Sequence, residues 1–166
     1  MEYRRAQELQ DALSCCLQGA RFQKVFVSAV DYADEFRRYY EDLGFDFTLG
    51  YRIILLFDRI LADMLIDGHG YVKARFFNTD EFSVRSFNSA VEFRKPYMCE
   101  INADLPVNCE GETVEHIIIR EHETEWIFPE KDIDDIDLRL SNNKEITIIG
   151  DASAEGFFIN TKILNS

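Results

Sequence analysis

The sequence lacks the features of membrane-spanning and exported proteins. Its longest uninterrupted apolar run is IILLF at 53–57, far shorter than the ~20 residues that a transmembrane helix requires. The opening residues MEYRRAQELQDAL contain no apolar segment followed by small residues, so they do not predict a signal peptide. The 4 cysteines do not resemble the disulfide framework of a small secreted domain. We therefore expect a cytoplasmic protein with no membrane segment.

Motifs of metal and nucleotide sites are missing as well. Neither of the zinc-binding spacings CxxC and HExxH occurs. The acid-rich stretch EKDIDDIDLRL at 130–140 has Asp137 where a calcium loop needs a glycine for its sharp turn. GHG at 68–70 follows a predicted helix, whereas a dinucleotide site would follow a strand. We predict no cofactor and no metal, with a weak cation site among the carboxylates as the alternative.

Only one pairing of residues suggests nucleophilic catalysis, namely Cys99 or Cys109 with His116. A thiol nucleophile needs an adjacent base, but no motif supports this pairing. His122 lies in HET, which is half of the paired His-x-Thr motif of two-histidine phosphodiesterases, and the second half is missing. We therefore predict that the protein is not an enzyme. A hydrolase with a site around His116 or His122 is the alternative.

The chain has enough apolar residues for one folded domain, 1–166: 46% are hydrophobic and 13% aromatic. Apolar residues recur at helical spacing over 2–18, 22–43 and 50–66, although KVFV at the start of the second helix also fits a strand. From residue 71 the period becomes two, with a hairpin of DIDLRL and EITII across SNNK and a last strand FFINTKIL. We predict an α+β fold: about three N-terminal helices, within 1–68, packed on a C-terminal antiparallel β-sheet, 71–166.

Acidic residues are concentrated in one segment. The formal net charge is −13 at pH 7, and residues 100–137 carry 13 acids against two basic residues, Arg120 and Lys131. Such a field repels nucleic acid and anionic lipid and attracts cationic surfaces. We therefore predict a basic protein partner, no direct nucleic-acid binding and no membrane binding. Solubility alone is the alternative explanation of the charge.

Alternation on the predicted strand places Ile136 and Leu138 on one face and Asp135 and Asp137 on the other, water-exposed face. Fixed carboxylates around an aromatic residue have the composition of an interface hot spot with a charged surround. The aromatic candidate is Trp126, for which core packing is the alternative. The predicted partner-binding residues are Glu112, Glu115, Glu121, Glu123, Glu125, Trp126, Asp132, Asp134, Asp135 and Asp137.

The carboxylates of GETVEH, REHETEW and EKDIDDID, together with the missing catalytic motifs, give a profile that resembles the small acidic immunity proteins of bacterial toxin systems, including contact-dependent growth inhibition. The resemblance is to the overall profile and includes no diagnostic motif. It implies an inhibitor that binds a nuclease toxin domain in the cytoplasm, at its substrate-binding surface or active site. The alternatives are a phage-encoded nucleic-acid mimic that blocks a defence enzyme, and an assembly subunit that self-associates.

Overall fold

The computed structural model describes residues 1–30, 52–66, 72–78, 96–123, 131–151 and 156–165. These residues form one α-helix, α1 (Ala6–Leu17), and ten β-strands. In chain order the strands are β1 (Glu2–Tyr3), β2 (Phe22–Val30), β3 (Arg52–Phe57), β4 (Ile60–Ile66), β5 (Val72–Asn78), β6 (Pro96–Glu100), β7 (Val114–Glu123), β8 (Lys131–Leu140), β9 (Lys144–Asp151) and β10 (Gly156–Ile163).

The strands belong to two antiparallel sheets. One has six strands in the order β1-β5-β4-β3-β2-β6, and the other has four in the order β10-β9-β8-β7. The predicted α+β fold, with about three helices on a sheet, is therefore wrong: the chain is mostly β, and α1 is the one α-helix in its described part. The predicted division into a helical part, 1–68, and a sheet part, 71–166, falls with it. A single domain over 1–166 stays a prediction.

The predicted helix over 50–66 is a β-hairpin. Strands β3 and β4 pair directly and are separated only by residues 58–59. Ile53 and Leu55 face the core, while Ile54, on the opposite face of the sheet, is only 2% exposed. Because the strand is buried on both faces, its apolar residues are continuous and do not alternate with polar ones. Such a run fits a helix as well as a strand.

The predicted helix over 22–43 begins as a strand. β2 pairs with β3 on one side and with β6 on the other. Val25 and Val27 are both buried with one residue between them, which is the period of a strand. The strand alternative for KVFV is therefore confirmed. Residues 31–43 of that prediction lie outside the described residues.

Other local predictions are confirmed. α1 lies within the first predicted helix, 2–18, and buries Leu9, Leu13 and Leu17. Gly19 ends it with φ +80°, a conformation that glycine adopts without strain. The hairpin of β8 and β9 and the last strand β10 also form as predicted. Of the helices in the described ranges, none is long and apolar enough to cross a membrane.

α1 and both sheets contribute to one cluster of buried hydrophobic residues. The end of α1 is tied to β7, because the Gly19 N–H donates to the Val114 carbonyl and the Val114 N–H donates to the Ala20 carbonyl, both at 2.9 Å. A β-bulge follows Val114, so Ile117 continues the buried face of β7 in place of His116. The bulge therefore shifts the alternation of buried and exposed side chains along this strand by one residue.

Candidate functional site

The strand that carries EKDIDDIDLRL has the predicted register but not the predicted exposure. Leu138 is 0% exposed in the core, and Asp137 lies on the opposite face of β8. There Asp137 is only 1% exposed, and Asp135 is half-buried. Arg120, from the neighbouring strand β7, contacts both carboxylates: its Nη2 lies 2.8 Å from Asp137 Oδ2, and its Nη1 lies 3.7 Å from Asp135 Oδ2. These two predicted binding residues are thus neutralised within the sheet.

The buried oxygen of Asp137, Oδ2, is stabilised by the positive charge of Arg120 and not by a hydrogen bond from any described residue. Its Oδ2 atom accepts no hydrogen bond from the described residues, although the Arg120 guanidinium is in contact with it. A buried carboxylate is strongly unfavourable unless a nearby charge compensates it. The charge of Arg120 therefore compensates the burial of the Asp137 carboxylate.

A second buried carboxylate, Glu145 of β9, lies on the same face and is 1% exposed. Lys162 Nζ lies 2.9 Å from it, Arg139 Nε lies 3.4 Å from it, and the Thr147 hydroxyl donates to it at 3.2 Å. Burial raises the pKa of Glu145, but the charge of Lys162 and the hydrogen bonds from all three residues lower it by more. The net result is a pKa below the ordinary value. Glu145 is therefore ionised at neutral pH.

These pairs form a charged ladder across the outer face of the four-stranded sheet. The ladder consists of Arg120, Asp135, Asp137, Arg139, Glu145 and Lys162. Its cationic side chains are 43% to 56% exposed, whereas its carboxylate side chains are 2% to 17% exposed. This face therefore presents guanidinium and ammonium groups above buried carboxylates, where the sequence predicted an exposed row of acids.

Glu112, another predicted binding residue, is also engaged within the protein. It is 9% exposed and accepts hydrogen bonds from Lys144 Nζ (2.7 Å), the Ser141 hydroxyl (2.5 Å) and Asn142 Nδ2 (2.9 Å). The three donors lie in and beside the turn between β8 and β9. Their hydrogen bonds lower the pKa of Glu112 to about 2. Glu112 therefore ties this turn to the segment that precedes β7.

The thiol of Cys109 is not suited to act as a nucleophile beside His116. Cys109 is 2% exposed, and this burial raises the pKa of its thiol to about 11, with Lys144 opposing the shift and Glu112 reinforcing it. Only the thiolate is nucleophilic, and at neutral pH this thiol is protonated. His116 is exposed on β7. The side chain of Cys99 lies outside the described residues.

The alternative of a hydrolase around His116 or His122 gains no site from the described residues. A cavity of about 410 Å³ lies at the edge of the six-stranded sheet, whereas both histidines belong to β7 of the other sheet. The described residues that line the cavity are Met1, Glu2, Asp63, Leu65, Lys73 and Arg75. Within the parts of the chain that the structure describes, no group of three or more His, Cys, Asp or Glu residues is placed to hold a metal ion.

Three exposed acids in and beside the connection between β6 and β7 have no partner among the described residues. We call residues 101–113 the acidic connection; it contains Asp104 and Glu110, and Glu115 follows it near the start of β7. All three residues are exposed. As far as the described residues show, none of the three carboxylates makes an ion pair or a hydrogen bond. These groups can pair with an external cation without first breaking an internal contact.

The acidic connection is fixed to both sheets. Three of its backbone N–H groups donate hydrogen bonds to other elements: Ile101 to the Val25 carbonyl (3.1 Å), Val107 to Thr161 Oγ1 (2.8 Å) and Gly111 to the Phe22 carbonyl (2.8 Å). The side chains of Ile101 and Cys109 are buried. Because the backbone is held at these points, Asp104 and Glu110 project from an ordered segment. Binding therefore requires little further ordering of the chain.

Glu121 is exposed but has a structural role at α1. Its Oε1 atom accepts a hydrogen bond from the Ala6 N–H at 2.8 Å, where the unpaired N–H groups of the helix begin. Nearby, Gln10 Oε1 of α1 accepts from the Ile119 N–H at 3.3 Å. Two contacts therefore join α1 to the outer edge of β7.

The other predicted binding residues are placed only in part. The backbone of Glu123 is in β7, and the backbone of Asp132 and Asp134 is in β8. Glu125 and Trp126 lie outside the described residues. The structure therefore brings the described members of the predicted set to the four-stranded sheet and the segment just before it. Among the described side chains of this set, Glu115 is exposed and has no internal partner.

Alternation along strands does not single out Asp104 and Glu110, because both lie in the connection between strands. A signal was present in NADLPVNCEGE at 102–112, where Asn, Pro and Gly are typical of a surface connection. On a strand, a neighbouring strand can supply a cation to each acid, as Arg120 does for Asp137. In a connection, acids more often stay exposed.

Comparisons of this chain with protein-family models, with curated proteins and with solved structures gave no match.

Proposed function

We propose that this chain is an acidic protein inhibitor, an immunity protein that binds and neutralises a cationic nuclease toxin in the cytoplasm. The observation that carries the proposal is the group of exposed carboxylates Asp104, Glu110 and Glu115, which have no internal partner among the described residues. Close charge pairs at an interface can contribute several kcal/mol to binding. They contribute most when neither charge must first leave another partner.

A nuclease suits this chemistry because its substrate-binding surface holds phosphates with basic side chains. Carboxylates on an ordered backbone compete with phosphates for the same cations. The net charge of −13 adds a long-range attraction that accelerates the encounter. Both properties favour a basic enzyme as the partner.

The proposed contact surface is the acidic connection with Glu115, and it is smaller than the set predicted from the sequence. Glu112 and Asp137 are buried and engaged with Lys144 and Arg120. A partner that bound Glu112 or Asp137 would first have to break these ion pairs. The free-energy cost of breaking such a close pair exceeds the gain from forming the new one.

The test starts from the full chain immobilised and exposed to lysate of the source organism at low salt. Proteins released by high salt are identified by mass spectrometry and assayed for RNA and DNA cleavage, with and without added chain. We expect a basic nuclease whose cleavage stops at one equivalent of the chain. The proposal is rejected if the chain inhibits no nuclease activity in the released fraction.

Matched variants assign the inhibition to the acidic connection. Asp104→Asn and Glu110→Gln each remove one exposed charge, and Glu8→Gln removes an exposed charge from α1 as the control. We expect the first two to weaken inhibition about tenfold, by the usual worth of an interfacial charge pair, and the control to leave it unchanged. Equal inhibition by all three variants would contradict this contact surface.

A further inference from the structure

The four-stranded sheet ends in a regular strand, and no described strand pairs with its outer edge. β10 is the last strand in the sheet order, and β9 is its described neighbour. Its register with β9 runs without a bulge from Gly156, opposite Asp151, to Ile163, opposite Lys144. An edge strand of 8 residues with neither bulge nor proline has the geometry that accepts a further strand.

One hydrogen bond identifies the backbone groups of β10 that face away from β9. The Leu164 N–H donates to the Asn143 carbonyl at 2.6 Å, so the peptide groups of the even-numbered residues face β9. Since peptide groups alternate along an antiparallel strand, those of Ile159, Thr161 and Ile163 face away from β9. No described residue makes a hydrogen bond to these backbone groups. They form a regular row of donors and acceptors.

The other sheet edges are short or protected. β7 carries two bulges, its Ile119 N–H donates to Gln10 of α1, and its Val114 N–H donates to the carbonyl of Ala20, which follows α1. β1 has only 2 residues, and β6 begins with Pro96, which cannot donate to a new strand. Bulges, short length and proline are the usual means by which proteins block strand addition. Among the described strands, β10 has none of them.

We propose that β10 is the docking edge for an extended, cationic segment of a protein partner, which joins the four-stranded sheet as a fifth strand. The inference rests on the proposed function in one respect, that the partner is a cationic protein. Backbone hydrogen bonds would supply a part of the affinity that does not depend on the sequence of the segment. Its side chains at alternate positions would supply the selectivity.

The charge near β10 determines which kind of strand can bind at its outer edge. The Val107 N–H donates to Thr161 Oγ1 at 2.8 Å, which places the acidic connection beside the middle of β10. Asp104 and Glu110 are each three residues from Val107, so the Cα atom of each lies at most ~11 Å from that of Val107, compared with a Debye length of ~8 Å at physiological salt. These carboxylates attract a strand that bears Lys or Arg. A second copy of this chain would bring its own Asp104 and Glu110 to the same place and be repelled.

The first experiment uses peptides and the ¹⁵N-labelled full chain. An end-capped peptide of alternating Lys and Thr is titrated while the amide signals of Ile159, Thr161 and Ile163 are followed by NMR. We expect these signals to shift and their hydrogen exchange to slow. A peptide of alternating Glu and Thr should bind about tenfold more weakly, and the Lys–Thr peptide with alternate N-methylated amides should not bind. Shifts elsewhere in the chain, or equal binding of all three peptides, overturn the inference.

The second experiment uses variants of the edge. Ile163 is 60% exposed, so Ile163→Pro removes an outward N–H with little effect on packing, and Ile163→Val is the matched control that keeps this N–H. We expect the proline variant to bind the Lys–Thr peptide about fivefold more weakly, the effect of one lost hydrogen bond, and the valine variant to bind normally. Unchanged peptide binding by the proline variant would count against docking at β10.

These results separate the inference from the proposed function. If a captured nuclease binds Ile163→Pro normally but loses affinity for Asp104→Asn, the docking edge is rejected and the inhibitor function stands. If the Lys–Thr peptide docks at β10 and no nuclease is inhibited, the edge stands and the inhibitor function is rejected. Concentration-dependent dimerisation that Ile163→Pro abolishes, measured by sedimentation, would assign the edge to a second copy and overturn the cationic segment.

Discussion

Replacing Glu112 with glutamine tests a carboxylate that joins two separate segments of the chain. Glu112 accepts three hydrogen bonds, from Ser141, Asn142 and Lys144, and joins the turn between β8 and β9 to the acidic connection. Lys144 also donates to the Asn108 carbonyl at 2.8 Å, so its position is shared by both segments. Removing the charge of Glu112 therefore weakens a contact between parts of the chain about 30 residues apart.

The expected loss of stability follows from these contacts. Glutamine retains one acceptor oxygen but lacks the second acceptor and the negative charge that pairs with Lys144. A hydrogen bond to a charged group contributes about 1.5–3 kcal/mol, and the side chain of Lys144 is 24% exposed, so water recovers part of the loss. We expect Glu112→Gln to lower the free energy of unfolding by about 2 kcal/mol at pH 7.

The same contribution should depend on pH. Folding lowers the pKa of Glu112 from 4.5 to about 2, so the folded state favours its ionised form. The stabilisation is then fully present above pH 4.5 and is lost as the pH falls towards 2, because the unfolded state binds a proton first. Urea unfolding followed by circular dichroism at pH 7, 4 and 3 should show the gap between wild type and Glu112→Gln narrowing with acid.

Glu115→Gln is the control, because Glu115 is exposed and its carboxylate has no ion pair or hydrogen bond among the described residues that the substitution could remove. It should change the free energy of unfolding by less than about 0.5 kcal/mol. The reasoning is refuted if Glu112→Gln is as stable as wild type at pH 7, or if its deficit is the same at pH 3.

Three further predictions concern the sheet and the thiols. Leu138→Asp should prevent folding, because it places a charge at a position that is 0% exposed; a soluble variant with an unchanged Tm would contradict the register of β8. Arg120→Ala should lower the free energy of unfolding by about 2 kcal/mol, since it leaves Asp137 buried without its cation, and equal stability in urea would show that Asp137 has another source of compensation. In the native chain at pH 8, iodoacetamide should modify exposed Cys15 well before buried Cys109, as followed by mass spectrometry, and equal rates would rule out the raised pKa of Cys109.

Local pattern predicts the parts of this fold in which only one face of an element is apolar. α1 buries its apolar face, and β8 alternates apolar side chains on its core face with polar side chains on its outer face, so the periods of 3.6 and 2 are visible in the sequence. β3 buries both faces, and its run IILLF loses the alternation that would identify a strand. The mistaken helix over 50–66 therefore has its physical origin in the burial of the central strand β3 from two sides.

The candidate site was less predictable because it depends on pairing between distant residues. Alternation correctly separates Asp137 from Leu138, but it contains no information on whether a cation from another strand covers the acid. Arg120 reaches Asp137 only because the two-bulged strand β7 lies beside β8 in this register. The partners of Glu112 lie about 30 residues away, so no local pattern reveals them.

Salt distinguishes the two kinds of acid in this chain. Asp137 and Glu145 are buried against their cations, where screening by ions is weak, so added salt should leave this part of the stability unchanged. Asp104 and Glu110 are exposed within a strongly negative field, and their attraction for a cationic partner is screened within about one Debye length. In the proposed complex, the whole field would set the rate of encounter, whereas contacts at the acidic connection would set the lifetime of the complex. Salt should therefore mainly slow association, and substitution of Asp104 or Glu110 should mainly speed dissociation.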